Sequence, residues 1–264
     1  MELGLKGKSG FVGGSSRGLG LAIARELLSE GASVAISGRD AARLEGVAAA
    51  LAQEFGAERV LPVAADLAEP TAIDNALARA RDHFGSLQFG IANAGGPPAG
   101  PAIASSEGDW QRAFDLHLIG ALRFARNLLP HFDEQGFGRL LFLTSVAVKQ
   151  PLPNLGISNG IRAGVAGLAK TLSLESRHPA VTINCILPGY TRTERLDELA
   201  AALAARQGGT PGEVFERWEA EIPLRRIARP DELARVAVFL VSEAASYING
   251  VALAVDGGLS RALL

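Results

Sequence analysis

The segment Gly14-Ser15-Ser16-Arg17-Gly18-Leu19-Gly20 lies between an apolar run at 9–13 and a helical pattern at 18–30. Glycines at a strand–turn–helix junction permit a tight turn and let the backbone approach a pyrophosphate closely. The phosphate charge then faces the helix N-terminus, where unpaired N–H groups favour an anion. Further along, Ser145 follows the apolar run 139–144, and Ser158 and Arg162 stand four residues apart in a helical stretch. That spacing puts both on one helix face, about 6 Å apart along the axis. A hydroxyl can hydrogen-bond a substrate oxygen, and a guanidinium binds hydroxyls and supplies positive charge. Neither is a strong proton donor near neutral pH. His117, with an ordinary pKa near 6.5, is one candidate acid, although a helix-interior histidine packed on a sheet is an equally good reading. No group of residues has the ligand spacing of a metal site.

These residues are carried by alternating strand and helix patterns. Apolar strand-like runs occur at 9–13, 33–37, 60–64, 87–92, 139–144, 181–187 and 251–255. Helical patterns fill 18–30, 40–55, 70–84, 109–134, 157–177 and 230–242. Asp40, Pro70 with Thr71, and Pro230 mark helix starts. Continuous apolar strands separated by helices predict an α/β fold, with a parallel sheet covered on both faces. No composition break divides the 264 residues, so the chain reads as one domain, 1–264. Within it, 191–224 is the one irregular insert, charged and punctuated by Gly and Pro.

Composition narrows the function. The chain is 48% hydrophobic and 20% charged with a net charge of −2, which predicts neither a nucleic-acid groove nor a basic membrane face. No apolar run nears the ~20 residues of a membrane span. The one cysteine, Cys185, excludes an internal disulfide and fits a reducing cytoplasm; it reads as a buried strand residue. Basic residues are 22 Arg against 4 Lys, so an arginine in a lysine's place is less surprising here than elsewhere.

The glycine spacing, G-x-x-x-G-x-G, resembles that of the short-chain dehydrogenase/reductase family, with Gly13 where the family usually has Thr. The resemblance covers essentially the whole chain. Ala64-Ala65-Asp66-Leu67 is similar to the segment that holds the adenine ring. Ala92-Asn93-Ala94-Gly95 resembles the family's N-N-A-G, Pro188-Gly189-Tyr190 its P-G turn beside the nicotinamide, and Asp256-Gly257-Gly258 its closing motif. It implies a Rossmann-like doubly wound, seven-stranded sheet and an NAD(P) site. That site comprises Gly14, Ser16, Arg17, Gly18, Leu19, Gly20, Arg39, Asp66, Leu67, Asn93, Ala94, Gly95, Arg162, Pro188, Gly189 and Thr191. Arg39, at the end of the second strand, and Arg17 suit the 2′-phosphate of NADP better than the free ribose of NAD. Asp40 is read as the N-cap of the next helix.

The family's reaction uses a Ser, a Tyr thirteen residues later, a Lys one turn after that, and an upstream Asn. The first place is held by Ser145, and the other three by Ser158, Arg162 and His117. The stretch Gly167-Leu168-Ala169-Lys170-Thr171-Leu172 fixes this alignment, and no Tyr-x-x-x-Lys occurs anywhere in the chain. Tyr190 and Lys149 are further candidates for proton donation, with packing and surface solvation as their plainer roles. By resemblance, 191–224 is a substrate lid, whose Arg192 and Arg195, with Arg225 and Arg226 just beyond it, suit an anionic substrate. The expected activity is hydride transfer between NADP(H) and a carbonyl/alcohol pair, nearest to 3-oxoacyl-carrier-protein reduction, with a small-molecule or acyl-carrier substrate. The alternative is an NADP-binding sensor or structural protein. A cytoplasmic homo-oligomer, dimer or tetramer, is also implied.

Overall fold

All seven expected strands form in the computed structural model, which describes residues 2–263. They are β1 (Ser9–Val12), β2 (Ser33–Gly38), β3 (Val60–Ala64), β4 (Phe89–Ala92), β5 (Gly138–Leu143), β6 (Val181–Pro188) and β7 (Ala252–Val255). One sheet holds them in the order β3-β2-β1-β4-β5-β6-β7, and every pairing is parallel. The order reverses between β1 and β4, so the loops leaving those two strands diverge and open a crevice at the carboxyl edge of the sheet.

Helices cover both faces, because β1, β5 and β6 are buried along their whole length and need apolar partners on each side. One core packs β-strand side chains under α1 (Gly18–Ser29), α2 (Ala41–Phe55) and α9 (Pro230–Leu240). The opposite core lies under α3 (Ala72–Phe84), α5 (Gly120–Gln135) and α6 (Gly156–Glu175). Asp40 caps α2 as expected, its carboxylate accepting from the Arg43 N–H at 3.0 Å. Cys185 is buried in β6, and burial pushes its thiol up to about 12, so it is a packing residue.

Two elements differ from the sequence expectation. The helix expected over 109–134 is three pieces: α4 (Glu107–Ala113), a wide π turn (Phe114–Ile119) and α5. A π turn carries one extra residue per turn and is common where a helix must present a side chain out of phase; here it carries His117. The insert 191–224, expected to be irregular, holds α7 (Glu194–Gln207) and α8 (Pro211–Glu221). Thr193 caps α7, and Thr210 with Glu213 makes a capping box on α8. These helices bury Leu196, Ala200, Val214 and Trp218 in a small apolar cluster with Ile222 and Ile227. The amphipathic stripe has its own local partners, which is why it can be helical outside the main core.

Candidate active site

The loops leaving β1, β4, β5 and β6 converge at the carboxyl edge of the sheet. After β1 the chain turns through Gly14 and Gly18, both at positive φ (54° and 58°), and enters α1. Arg17, at the N-cap, makes no side-chain cap, so the first N–H groups of α1 have no side-chain acceptor. At Gly20 a Cβ would come within 2.4 Å of the Gly14 carbonyl oxygen, so the turn closes only around glycine. The hydroxyl missing at Gly13 is supplied from elsewhere. Ser15 Oγ donates to the Val12 carbonyl and accepts from the Ser37 N–H, while Ser37 Oγ accepts from the Gly14 N–H.

Asn93, after β4, braces this loop by donating its amide to the Gly13 and Gly14 carbonyls at 3.0 and 3.1 Å. After β6, the Pro188-Gly189 turn lies against Asp256, where a Cβ on Gly189 would sit 2.6 Å from the Asp256 Cβ. Asp66 accepts from the Ala68 N–H and shapes the turn after β3, and Leu67 is buried. Arg39 is exposed beside Asp40. Thr191 is buried with its hydroxyl toward the Gly189 carbonyl, so its side chain serves the turn rather than an open face. Thr193, which sequence reasoning passed over, is the one that meets the glycine loop: its methyl lies 3.8 Å from the Cβ position of Gly18.

Arg17 is not free. Its guanidinium meets Glu194 at 2.6 Å and Glu198 at 3.7 Å, and Arg43 also reaches Glu194, at 3.4 Å. These pairs hold the glycine loop and α2 against the first turns of α7. Arg43 was another omission of the sequence reading; it lies one turn past the Asp40 cap and shares a partner with Arg17.

The candidate reacting face is built from β5 and α6. Ser145 leaves β5 in extended backbone, and its Oγ accepts from the Ala147 N–H at 3.2 Å. Ser158 is buried in the first turn of α6. Asn159 holds that turn by bonding both backbone groups of Leu152. Arg162 turns its Nη1 onto the carbonyls of Leu143 (3.1 Å) and Thr144 (2.6 Å), at the end of β5. Burial and the nearby charge of Arg195 lower its pKa to about 10, so it stays charged at neutral pH. A cavity of about 30 Å³, with room for a water, lies between His117, Asn93, Thr144 and Arg162.

His117 lines that cavity with Nε2 buried and without a protein partner. Burial first, and then the Arg162 charge, push its pKa down to about 3, against the weaker pull of the Gly95 backbone. With that pKa the imidazole is neutral at pH 7, the state in which it orients water rather than donating a proton as an imidazolium. Tyr190 is held in packing. It stacks on Trp218 (centroids 4.7 Å apart, planes at 18°), and burial, then Glu221, push its phenol up to about 12. The arrangement can bind an anionic dinucleotide along the glycine loop, hydrogen-bond a carbonyl oxygen, and hold positive charge beside it.

Comparison with known proteins agrees with this geometry. A family model described as Enoyl-(Acyl carrier protein) reductase matches residues 14–260. The 3-oxoacyl-[acyl-carrier-protein] reductase FabG of Aquifex aeolicus is 31% identical over 261 residues, covering 98% of this chain and 100% of that protein. The crystal structure of L-sorbose reductase from Gluconobacter frateurii, complexed with NADPH and L-sorbose, superposes with a TM-score of 0.93 at 35% identity, covering both chains fully. A 3-ketoacyl-(acyl-carrier-protein) reductase from Brucella melitensis, complexed with NADH, gives 0.84 at 30% identity, over 97% of this chain and 99% of that one. The motifs, the strand order and these matches together place the chain in the short-chain dehydrogenase/reductase family.

Proposed function

We propose that this protein is an NADP-dependent oxidoreductase acting on a carbonyl/alcohol pair, with Ser145, Ser158 and Arg162 as its reacting face. The observation that carries the reading is the convergence of the uncapped α1 N-terminus, the Asn93 loop and the Ser145–Arg162 face at one sheet edge. The residues fit the cofactor: free helix N–H groups suit a pyrophosphate, and exposed Arg39 with Arg17 suits a 2′-phosphate, with Arg43, which shares Glu194 with Arg17, as a further basic donor. When bound, NADP(H) supplies or accepts the hydride.

The chain's own residues then act on the substrate oxygen. Ser145 and Ser158 donate hydrogen bonds to it. Arg162 stabilises the negative charge that develops there, the part that preorganised electrostatics plays in many active sites. Neutral His117 positions water in the adjoining cavity, and that water relays from solvent the proton that completes the alcohol once the hydride has reached the carbonyl carbon. The α7–α8 insert serves as the lid over this site. A homo-oligomer formed through exposed apolar residues such as Leu174 and Tyr247, and a cytoplasmic location, belong to the same reading.

A panel of ketones and 3-oxoacyl thioesters tests it: NADPH is consumed with at least one, and Ser145→Ala abolishes the consumption. The Ser158/Arg162 pair favours one rival, a nucleotide sensor without hydride transfer, and tight NADPH binding with no turnover on any member would decide for it. If 3-oxoacyl reduction appears only in the double variant Ser158→Tyr/Arg162→Lys, the natural substrate is not a 3-oxoacyl carrier.

A further inference from the structure

The cavity of about 30 Å³ between the π turn and α6 is walled by apolar side chains such as Leu67 and Phe124 and by four polar ones, Asn93, His117, Thr144 and Arg162. Two of the four are already committed. Asn93 gives its amide to the Gly13 and Gly14 carbonyls, and the Thr144 hydroxyl donates to the Ile186 carbonyl at 3.3 Å. A cation and a base are left. Both bonds from Arg162 to the end of β5 are made by Nη1, so its Nη2 has no protein acceptor among the described residues. No carboxylate among them pairs with it either. His117 is only 9% exposed, and its Nε2 is buried without a partner.

A guanidinium taken out of water without a counter-ion is costly. A water in the cavity can accept from Arg162 and donate to Nε2, but it brings no charge to offset. An anion does, and a weakly hydrated guanidinium gives up its water readily to one. The volume limits the choice. It exceeds the ~10–15 Å³ that one water needs, which admits a single-atom ion and is too small for an organic acid or a phosphate.

The wall also decides what enters with the anion. The other ring nitrogen, Nδ1, donates to the Gly95 backbone, so the neutral ring turns the bare Nε2 lone pair to the cavity. A lone pair repels an anion; a protonated Nε2 donates to it. Anion and proton therefore enter as a pair, and the net charge of the cavity stays that of Arg162. Arg162 is the one other charged side chain on the wall, since α3, α5 and the ends of β3, β4 and β5 contribute neutral residues. The anion supplies the negative partner that an imidazolium lacks there.

We propose that this cavity is a binding site for a halide ion, which it takes up together with a proton on His117. The binding claim stands apart from the hydride-transfer reading. Its consequence for that reading is that the halide displaces the relaying water, so halide inhibits more strongly as the pH falls.

The test is an NMR titration of the His117 ring in about 0.15 M sodium bromide and in the same concentration of sodium gluconate, whose anion is too large to enter, so that screening is matched. His117→Gln identifies the resonance among those of the four histidines. Bromide is expected to raise the His117 pKa by about one unit or more over gluconate, a tenfold gain in proton affinity. The difference should vanish in Arg162→Gln and persist in Arg206→Gln, which removes an exposed charge from the end of α7. Equal titration in the two salts overturns the proposal, and so does a difference that survives Arg162→Gln. If acid unfolds the chain before the ring titrates, thermal midpoints at pH 5 decide. The bromide-minus-gluconate difference should then be larger in the natural protein than in His117→Gln, and equal differences overturn the site. Bromide binding that leaves NADPH consumption at pH 5 unchanged would sink the water relay and leave the site standing.

Discussion

Arg17 of the glycine loop and Glu194 of α7 meet at 2.6 Å, 177 residues apart in the chain. Glu194 is also within 3.4 Å of Arg43, so one α7 carboxylate occupies two guanidiniums beside the glycine loop. A phosphate placed on the same Nη1 donors would compete with this carboxylate. Replacing Glu194 by Gln removes the competitor. NADPH affinity is then expected to rise roughly three- to fivefold at low salt, the scale of an exposed ion pair, and to approach the natural value in 0.5 M salt. Fluorescence titration reads this, and unchanged affinity at low salt would show that Glu194 does not compete.

Arg43 follows from the same pairing. If it holds the 2′-phosphate, Arg43→Gln should weaken NADPH by roughly tenfold while leaving NADH unaltered, since a charge-assisted hydrogen bond is lost only with the phosphorylated cofactor. Parallel loss of both cofactors would point to a folding defect instead.

Arg162 carries the electrostatic part of the proposed chemistry. Arg162→Gln should lower kcat by about a hundredfold or more, the cost of removing one preorganised donor at a developing charge. Arg162→Lys should recover part of it, because the charge remains while the second donor edge is lost. Equal kcat for the Gln and Lys variants would mean that charge at this position does not matter.

His117 titrates at about 3 in the folded chain and near 6.5 when unfolded. The unfolded state therefore binds the extra proton between those values, so stability is full above pH 6.5 and falls as the pH drops below it. From pH 7 to pH 5 this one group costs up to roughly 2 kcal/mol. Denaturant midpoints measured at both pH values should fall less in His117→Gln than in the natural protein. A kcat profile with an inflection near pH 6.5 would contradict the neutral imidazole.

Gly20→Ala tests the turn that the dinucleotide needs. Its Cβ would meet the Gly14 carbonyl at 2.4 Å, a backbone atom that cannot rotate away. A loss of about 1–3 kcal/mol is expected, with a Tm lower by several degrees and weakened NADPH binding. A Tm and an affinity both unchanged would show that the turn has slack.

The strands and the glycine loop were legible because their signals are local: apolar runs, turn glycines and a capping aspartate. The insert was misread as irregular, although Thr193, Thr210, Pro211 and Glu213 are ordinary helix-start residues. Its apolar stripe is short and packs on Tyr190 and Ile227 rather than on the sheet, so it looked too polar to be buried. The site's hydroxyls and charges could be named from spacing. Their ionisation could not, because the neutrality of His117 depends on burial and on the Arg162 charge, and the lowered pKa of Arg162 on burial and on the Arg195 charge. The Arg17–Glu194 contact joins segments 177 residues apart and leaves no trace in either.

The π turn at 114–119 has a mechanical meaning. One added residue rotates everything before it by about 100° relative to everything after it. Upstream, the Trp110 ring reaches within 3.1 Å of the Cβ position of Gly160 on α6, while downstream Phe124 packs against Phe11 in β1. A single rod thus grips the helix that carries Ser158 with one end and the sheet with the other. Deleting one residue from the turn would bring the two grips into phase, and the rod could then satisfy only one of them.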